Sequence, residues 1–104
     1  MLDKTQQMNE YLDFYESLLT KKQIEVLSYY YRENYSYTEI ADILKISRTA
    51  VYDTIKRTET ILQNYEEKME LLARYKQRRQ CYDQLIALKI KEVSKLVSQC
   101  LETE

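Results

Sequence analysis

Y-S-Y-T-E-I-A-D-I-L-K-I-S-R-T-A-V-Y-D-T-I-K-R, Tyr35 to Arg57, is the stretch whose reading decides the fold. Ser36 is an N-cap residue, and Glu39 three positions on completes a capping box. Tyr35 before the cap and Ile40 inside the helix form a hydrophobic staple. The device recurs at once, with Ser47 as the cap and Ile46 and Val51 as the staple. Two short helices joined by a tight turn at Lys45-Ile46 follow, the helix-turn-helix that many proteins place in the major groove of DNA. Ile40, Ala41, Leu44, Val51 and Ile55 face inward. Ala41 marks a close crossing where a larger side chain would push the helices apart. Lys45 stands where many such motifs have glycine, and left-handed geometry there costs a non-glycine residue on the order of 1 kcal/mol.

Upstream, Asp3 with Gln6 predicts a first helix, striped by Met8, Tyr11, Leu12, Tyr15, Leu18 and Leu19 at helical spacing. Thr20 and Gln23 form a further capping box, with Leu19 and Ile24 as its staple. Ile24, Leu27 and Tyr31 line one face of the second helix. Three consecutive tyrosines, Tyr29 to Tyr31, cannot all point inward on an α-helix, so at least one ring is expected in part at the surface. Asn34 is the expected left-handed terminator.

Downstream of Ser47 no glycine or proline interrupts the chain. Ile55, Thr58, Leu62, Tyr65, Met69 and Leu72 make a heptad-like seam. The seam fails at Lys76 and Arg79 and resumes with Tyr82, Ile86, Ile90, Val93, Val97 and Cys100. Either one helix bends or ends near 74–80, or a long helix changes neighbours there. The resumed stripe is too large for three short helices to cover, which predicts a homodimer through Tyr82, Ile86, Ile90, Val93 and Val97. The organisation read from the chain is a helix-turn-helix bundle over 1–65 and a C-terminal helical dimerisation extension over 66–104.

Composition agrees with an all-α protein: 104 residues, 44% hydrophobic, with no glycine and no proline for hairpin turns. The net charge is −1, without the basic excess of a dedicated phosphate-backbone binder. Cys81 and Cys100 would lie roughly 28 Å apart on one continuous helix, too far for a disulfide. They read as small buried apolar residues. There is no histidine. No metal site, cofactor, small-molecule substrate, catalytic constellation or membrane insertion is expected, and absence of a signal peptide or long apolar run points to the cytoplasm.

The candidate nucleic-acid-binding residues open the helix after Ser47. Arg48 suits guanine or a phosphate, Thr49 a thymine methyl or a phosphate, and Tyr52 stacking or the backbone; Lys56 and Arg57 suit phosphates. Asp53 opposes phosphates unless it accepts from a cytosine amine or from Lys56. Arg74, Lys76, Arg78 and Arg79 form a possible second basic patch, suited to RNA phosphates or an acidic helix of a partner.

With these motifs in hand, the chain resembles the YlxM family of small helix-turn-helix proteins from low-GC Gram-positive bacteria and mollicutes. The resemblance rests on M-N-E-Y-L-D-F-Y-E-S-L-L-T-K-K-Q (Met8–Gln23), on Tyr35–Glu59 and on I-L-Q-N-Y-E-E-K (Ile61–Lys68). It covers roughly residues 5–90. It implies a bundle similar to region 4 of RNA polymerase sigma factors, with added C-terminal helices and a dimer. Because family genes typically lie beside those of the signal recognition particle GTPases, it also implies a regulatory role in that pathway. DNA is then one expected ligand, and signal recognition particle RNA or protein the alternative.

Overall fold

A computed structural model describes residues 3–104, and among them the architecture is all-α, with six helices and no strand. Helix α1 is Lys4–Tyr15, its first turn capped by the Asp3 carboxylate accepting from the Gln6 N–H at 2.8 Å. Met8, Tyr11, Leu12 and Tyr15 are buried along one stripe. Beyond Tyr15 the chain tightens into a 3-10 turn, Glu16–Leu18. That change of period rotates Leu18 out of the stripe expected for it, and it is 51% exposed. Helix α2, Lys21–Leu27, opens on the full Thr20–Gln23 capping box.

The tyrosine run then adopts one wide π-helical turn, Ser28–Arg32. The added residue per turn alters the facing of the rings. Tyr31 is buried, while Tyr29 and Tyr30 are half-buried. Tyr29 stacks on Tyr35 with centroids 5.5 Å apart, and Tyr30 stacks on Tyr37 at 5.1 Å. Asn34, as expected, ends the segment in left-handed geometry with φ 59°.

Helices α3, Tyr37–Leu44, and α4, Arg48–Met69, form the helix-turn-helix. The Ser36–Glu39 box caps α3 and Ser47 caps α4. Helix α4 is the spine of the bundle. It packs against α1, α2 and α3, and buries Val51, Ile55, Thr58, Glu59 and Leu62. Leu19, Tyr35, Ile46, Tyr65 and Met69 pack around the resulting core.

Of the two alternatives open for 74–80, no helix ends there. Helix α4 stops at Met69 because Glu70 turns left-handed, φ 54°, and α5 then runs without interruption over Leu71–Ala87. No glycine signals this stop; one side chain distant in sequence and one nearby support it. The Leu71 N–H donates to the Tyr15 hydroxyl at 3.1 Å and the Leu72 N–H to Glu66 at 3.0 Å. Two amides that a new helix would leave open are thereby satisfied. A second left-handed residue, Lys89 with φ 56°, separates α5 from α6, Lys91–Glu102. The stripe over 82–100 is thus divided between two helices. With it falls the one-helix premise for the cysteines, and Cys81 and Cys100 are exposed free thiols rather than buried residues. The chain divides into a compact unit ending at Leu72 and a second, Ala73–Glu104. Within the second, Arg78 of α5 holds Glu104 through two bonds of 3.0 and 2.8 Å, joined by the Tyr82 hydroxyl at 3.1 Å. Among the described residues no helix is long and apolar enough to cross a membrane.

Candidate nucleic-acid interface

The interface is built on the turn between α3 and α4. Lys45 sits there at φ 56°, and the Ile46 N–H returns to the Ala41 carbonyl at 3.1 Å. Ile40 and Ala41 from α3 meet Val51 and Ile55 from α4 in the buried core. With the inner faces locked, the opposite side of α4 is presented by a rigid scaffold. Its candidate residues Arg48, Thr49, Tyr52, Asp53, Lys56 and Arg57 are all exposed.

They do not form one surface. Arg48, Thr49 and Tyr52 join Tyr37 of α3 around an open concavity of about 420 Å³. The Tyr37 and Tyr52 rings meet edge to face, 5.7 Å apart at 83°. Tyr37 is pushed up to about 12, first by its hydrogen bond with Tyr30 and then by burial, so its phenol stays protonated and able to donate at neutral pH. Arg57 lies about half a turn of helix away from Arg48 at ~100° per residue. It lines a separate recess with Thr20, Lys22, Gln23, Thr54 and Thr58. Among the described residues neither Arg48 nor Arg57 has a carboxylate partner.

Lys56 is engaged from two sides. Its ammonium lies 5.5 Å from the centre of the Tyr52 ring and 3.7 Å from the Glu59 carboxylate. Of the two partners open to Asp53, Lys56 is held by Glu59 instead, and Asp53 stays exposed on α4. Glu59 is only 6% exposed. One of its oxygens accepts from the Tyr31 hydroxyl, while the other meets Lys4 at 3.0 Å as well as Lys56. Burial, then this bond, raises the Tyr31 phenol far above its ordinary range, and the bond to Glu59 raises the Lys4 ammonium. Sequence reasoning passed over Glu59 and Lys4. The available signal was spacing: Glu59 falls four residues after Ile55 on the inward stripe, where a carboxylate requires partners.

The second basic group is spread around α5. At ~100° per residue Arg74 and Arg78 share a side that Lys76 and Arg79 do not. Arg78 is paired with Glu104, and Arg79 with Asp83 at 3.6 Å. Of the residues expected at a dimer contact, Val97 is buried, Tyr82 and Val93 are half-buried, and Ile86 and Ile90 are exposed. Leu85, Leu88 and Leu96 are exposed as well. Among the described residues no group of three or more His, Cys, Asp or Glu side chains is arranged to hold a metal ion.

Comparison with known proteins gives the chain its relatives. Residues 2–100 match a family, UPF0122, described as "Putative helix-turn-helix protein, YlxM / p13 like". A UPF0122 protein of Exiguobacterium sibiricum is 48% identical over 97% of this chain and 95% of its own length. A relative from Halalkalibacterium halodurans is 53% identical over 82% of this chain and 78% of its own, and one from Listeria innocua is 51% identical over 84% and 79%. The helix-turn-helix geometry and the match over nearly the whole length agree: the chain belongs to the UPF0122 family of YlxM/p13-like helix-turn-helix proteins.

Proposed function

We propose that this protein is a non-enzymatic, DNA-binding regulator that works as a helix-turn-helix homodimer. One observation carries the reading: the α3–α4 scaffold exposes Arg48, Thr49 and Tyr52 together at the start of α4, around a concavity completed by Tyr37. These types suit the major groove. The guanidinium matches guanine or phosphate, the threonine methyl matches thymine, and the phenol reaches the backbone. The family resemblance implies a bundle similar to region 4 of sigma factors, which supports this reading. The exposed leucines and isoleucines of the second unit, Leu85, Ile86, Leu88, Ile90 and Leu96, support pairing of two copies. Two paired motifs would read half-sites about one helical turn, ~34 Å, apart. Resemblance to a family encoded beside the signal recognition particle GTPases supports regulation of that cytoplasmic pathway.

A second reading has its own support. The net charge is −1, and Lys56 is already engaged by Glu59. A domain with so small a phosphate footprint suits a protein or RNA contact of the same targeting machinery. Fluorescence anisotropy against duplex DNA and against signal recognition particle RNA, across a salt series, separates the two. Under the DNA reading, Arg48→Ala weakens duplex binding by about 1–3 kcal/mol, roughly fivefold or more. Unchanged duplex affinity for both Arg48→Ala and Thr49→Ala removes α4 as the reader.

A further inference from the structure

We propose a phosphate-binding site at the recess between Lys4 of α1 and Lys56 of α4, which extends the nucleic-acid contact beyond the helix-turn-helix onto the first helix; the extension rests on the DNA reading above. Both ammonium groups lie on the same carboxylate oxygen of Glu59, at 3.0 and 3.7 Å. That shared oxygen makes them neighbours, although Lys4 and Lys56 are separated by half the sequence. They flank a recess of about 200 Å³ that Thr5, Tyr30, Tyr31 and Asn34 complete. The volume is ample for a phosphate group.

The charge balance leaves the site cationic. Two lysines face one carboxylate, and the other carboxylate oxygen is taken by the Tyr31 hydroxyl. Each ammonium has three donors, so pairing with Glu59 leaves donors for an incoming anion. Lys4 is 54% and Lys56 44% exposed, whereas Glu59 lies beneath them. An arriving phosphate meets the lysines first. Position along the helix makes the site continuous with the reading face. Eight residues of α4 from Arg48 to Lys56 span about 12 Å at ~1.5 Å per residue. Successive phosphates on one strand follow such a path from Arg48 past Tyr52 to Lys56 and Lys4, and a nucleic-acid backbone is one source of the ligand. Free phosphate is the other.

Two probes test the site in the full chain: inorganic phosphate, followed through the ε-methylene signals of ¹³C-lysine, and a mixed-sequence duplex, followed by anisotropy across salt. Phosphate should shift the Lys4 and Lys56 signals saturably. Glu59→Gln keeps an acceptor for Tyr31 and removes the competing anion, so it should tighten both phosphate and duplex binding severalfold. Lys4→Gln should lower the slope of log affinity against log salt by about 0.9, the contribution of one phosphate. Lys4→Arg should keep the wild-type slope and shows that loss in Lys4→Gln is a loss of charge and not of fold. If Glu59→Gln leaves both affinities unchanged and Lys4→Gln leaves the slope intact, the lysines only neutralise Glu59 and the proposal is overturned. If Arg48→Ala weakens duplex binding while the Lys4 and Glu59 variants are silent, the helix-turn-helix reading stands without this site. Dependence on Lys4 with none on Arg48 keeps the site and removes that reading. Saturable phosphate binding with a duplex slope indifferent to Lys4 assigns the site to free phosphate and rejects the backbone.

Discussion

Tyr15 of α1 donates its phenolic proton to Glu66 of α4 at 2.5 Å, and the Tyr15 hydroxyl oxygen accepts the Leu71 N–H at 3.1 Å. Fifty-one residues separate the partners. The pair closes the first helix onto the end of the fourth and fixes where α5 begins. Glu66 repeats the service for Leu72, which is buried at the edge of the core.

Tyr15→Phe keeps the ring against Tyr65 but removes both bonds of the hydroxyl. A part-buried amide and a carboxylate then lose a partner, which costs about 1 kcal/mol. Denaturant unfolding should show the midpoint falling with an unchanged slope. Hydrogen exchange at Leu71 should accelerate more than exchange in the middle of α4.

Alkaline pH should act on the same group. Burial, and secondarily the Glu66 hydrogen bond, pushes the Tyr15 phenol up to about 12, above the ordinary tyrosine value near 10. The raised folded value means that the unfolded chain loses this proton first. The contribution is complete below pH ~10 and is lost as pH rises through about 12. Tyr37, also pushed up to about 12, acts in the same direction. Thermal melts from pH 9 to 12 should steepen in their decline above 10, and Tyr15→Phe should flatten part of that decline.

Lys45→Gly should stabilise. Lys45 holds φ 56° in the turn, geometry that disfavours a Cβ by on the order of 1 kcal/mol. Part of the gain is offset by the freer unfolded glycine. A rise in Tm of about 2–5 °C is expected. No rise, or a fall, would mean that the Lys45 side chain contributes to the turn in some other way.

Ile86→Asp combined with Ile90→Asp tests the dimer. Both positions are exposed, at 40% and 46%, so neither change disturbs a buried site in the single chain. Light scattering at micromolar concentration should give two chains for the wild type and one for the variant, with helical content retained. A wild-type mass of one chain would falsify the dimer.

Local chemistry alone determined the first half of this protein. Thr20–Gln23, Ser36–Glu39 and Ser47 start helices where their hydroxyls meet free amides, and Asn34 and Lys45 end them in left-handed geometry. Those interactions span three or four residues, so a reader of sequence can see them. The inward set Ile40, Ala41, Val51 and Ile55 follows from the same helical period, and with it the outward face that begins at Arg48.

Tertiary structure decided what depends on partners far along the chain. Glu70 and Lys89 are strong helix formers, and nothing beside them announces a stop; at Glu70 the Tyr15 hydroxyl and the Glu66 carboxylate make the break by satisfying the amides that follow. The π turn at Tyr29–Tyr31 likewise sets its rings on Tyr35 and Tyr37 beyond the helix end. Spacing puts Glu59 on the inward stripe, but its partners exist only once α1 and the π turn fold over it. Burial then requires compensation, and the partners it collects, Tyr31, Lys4 and Lys56, bring a cation of the first helix beside one of α4.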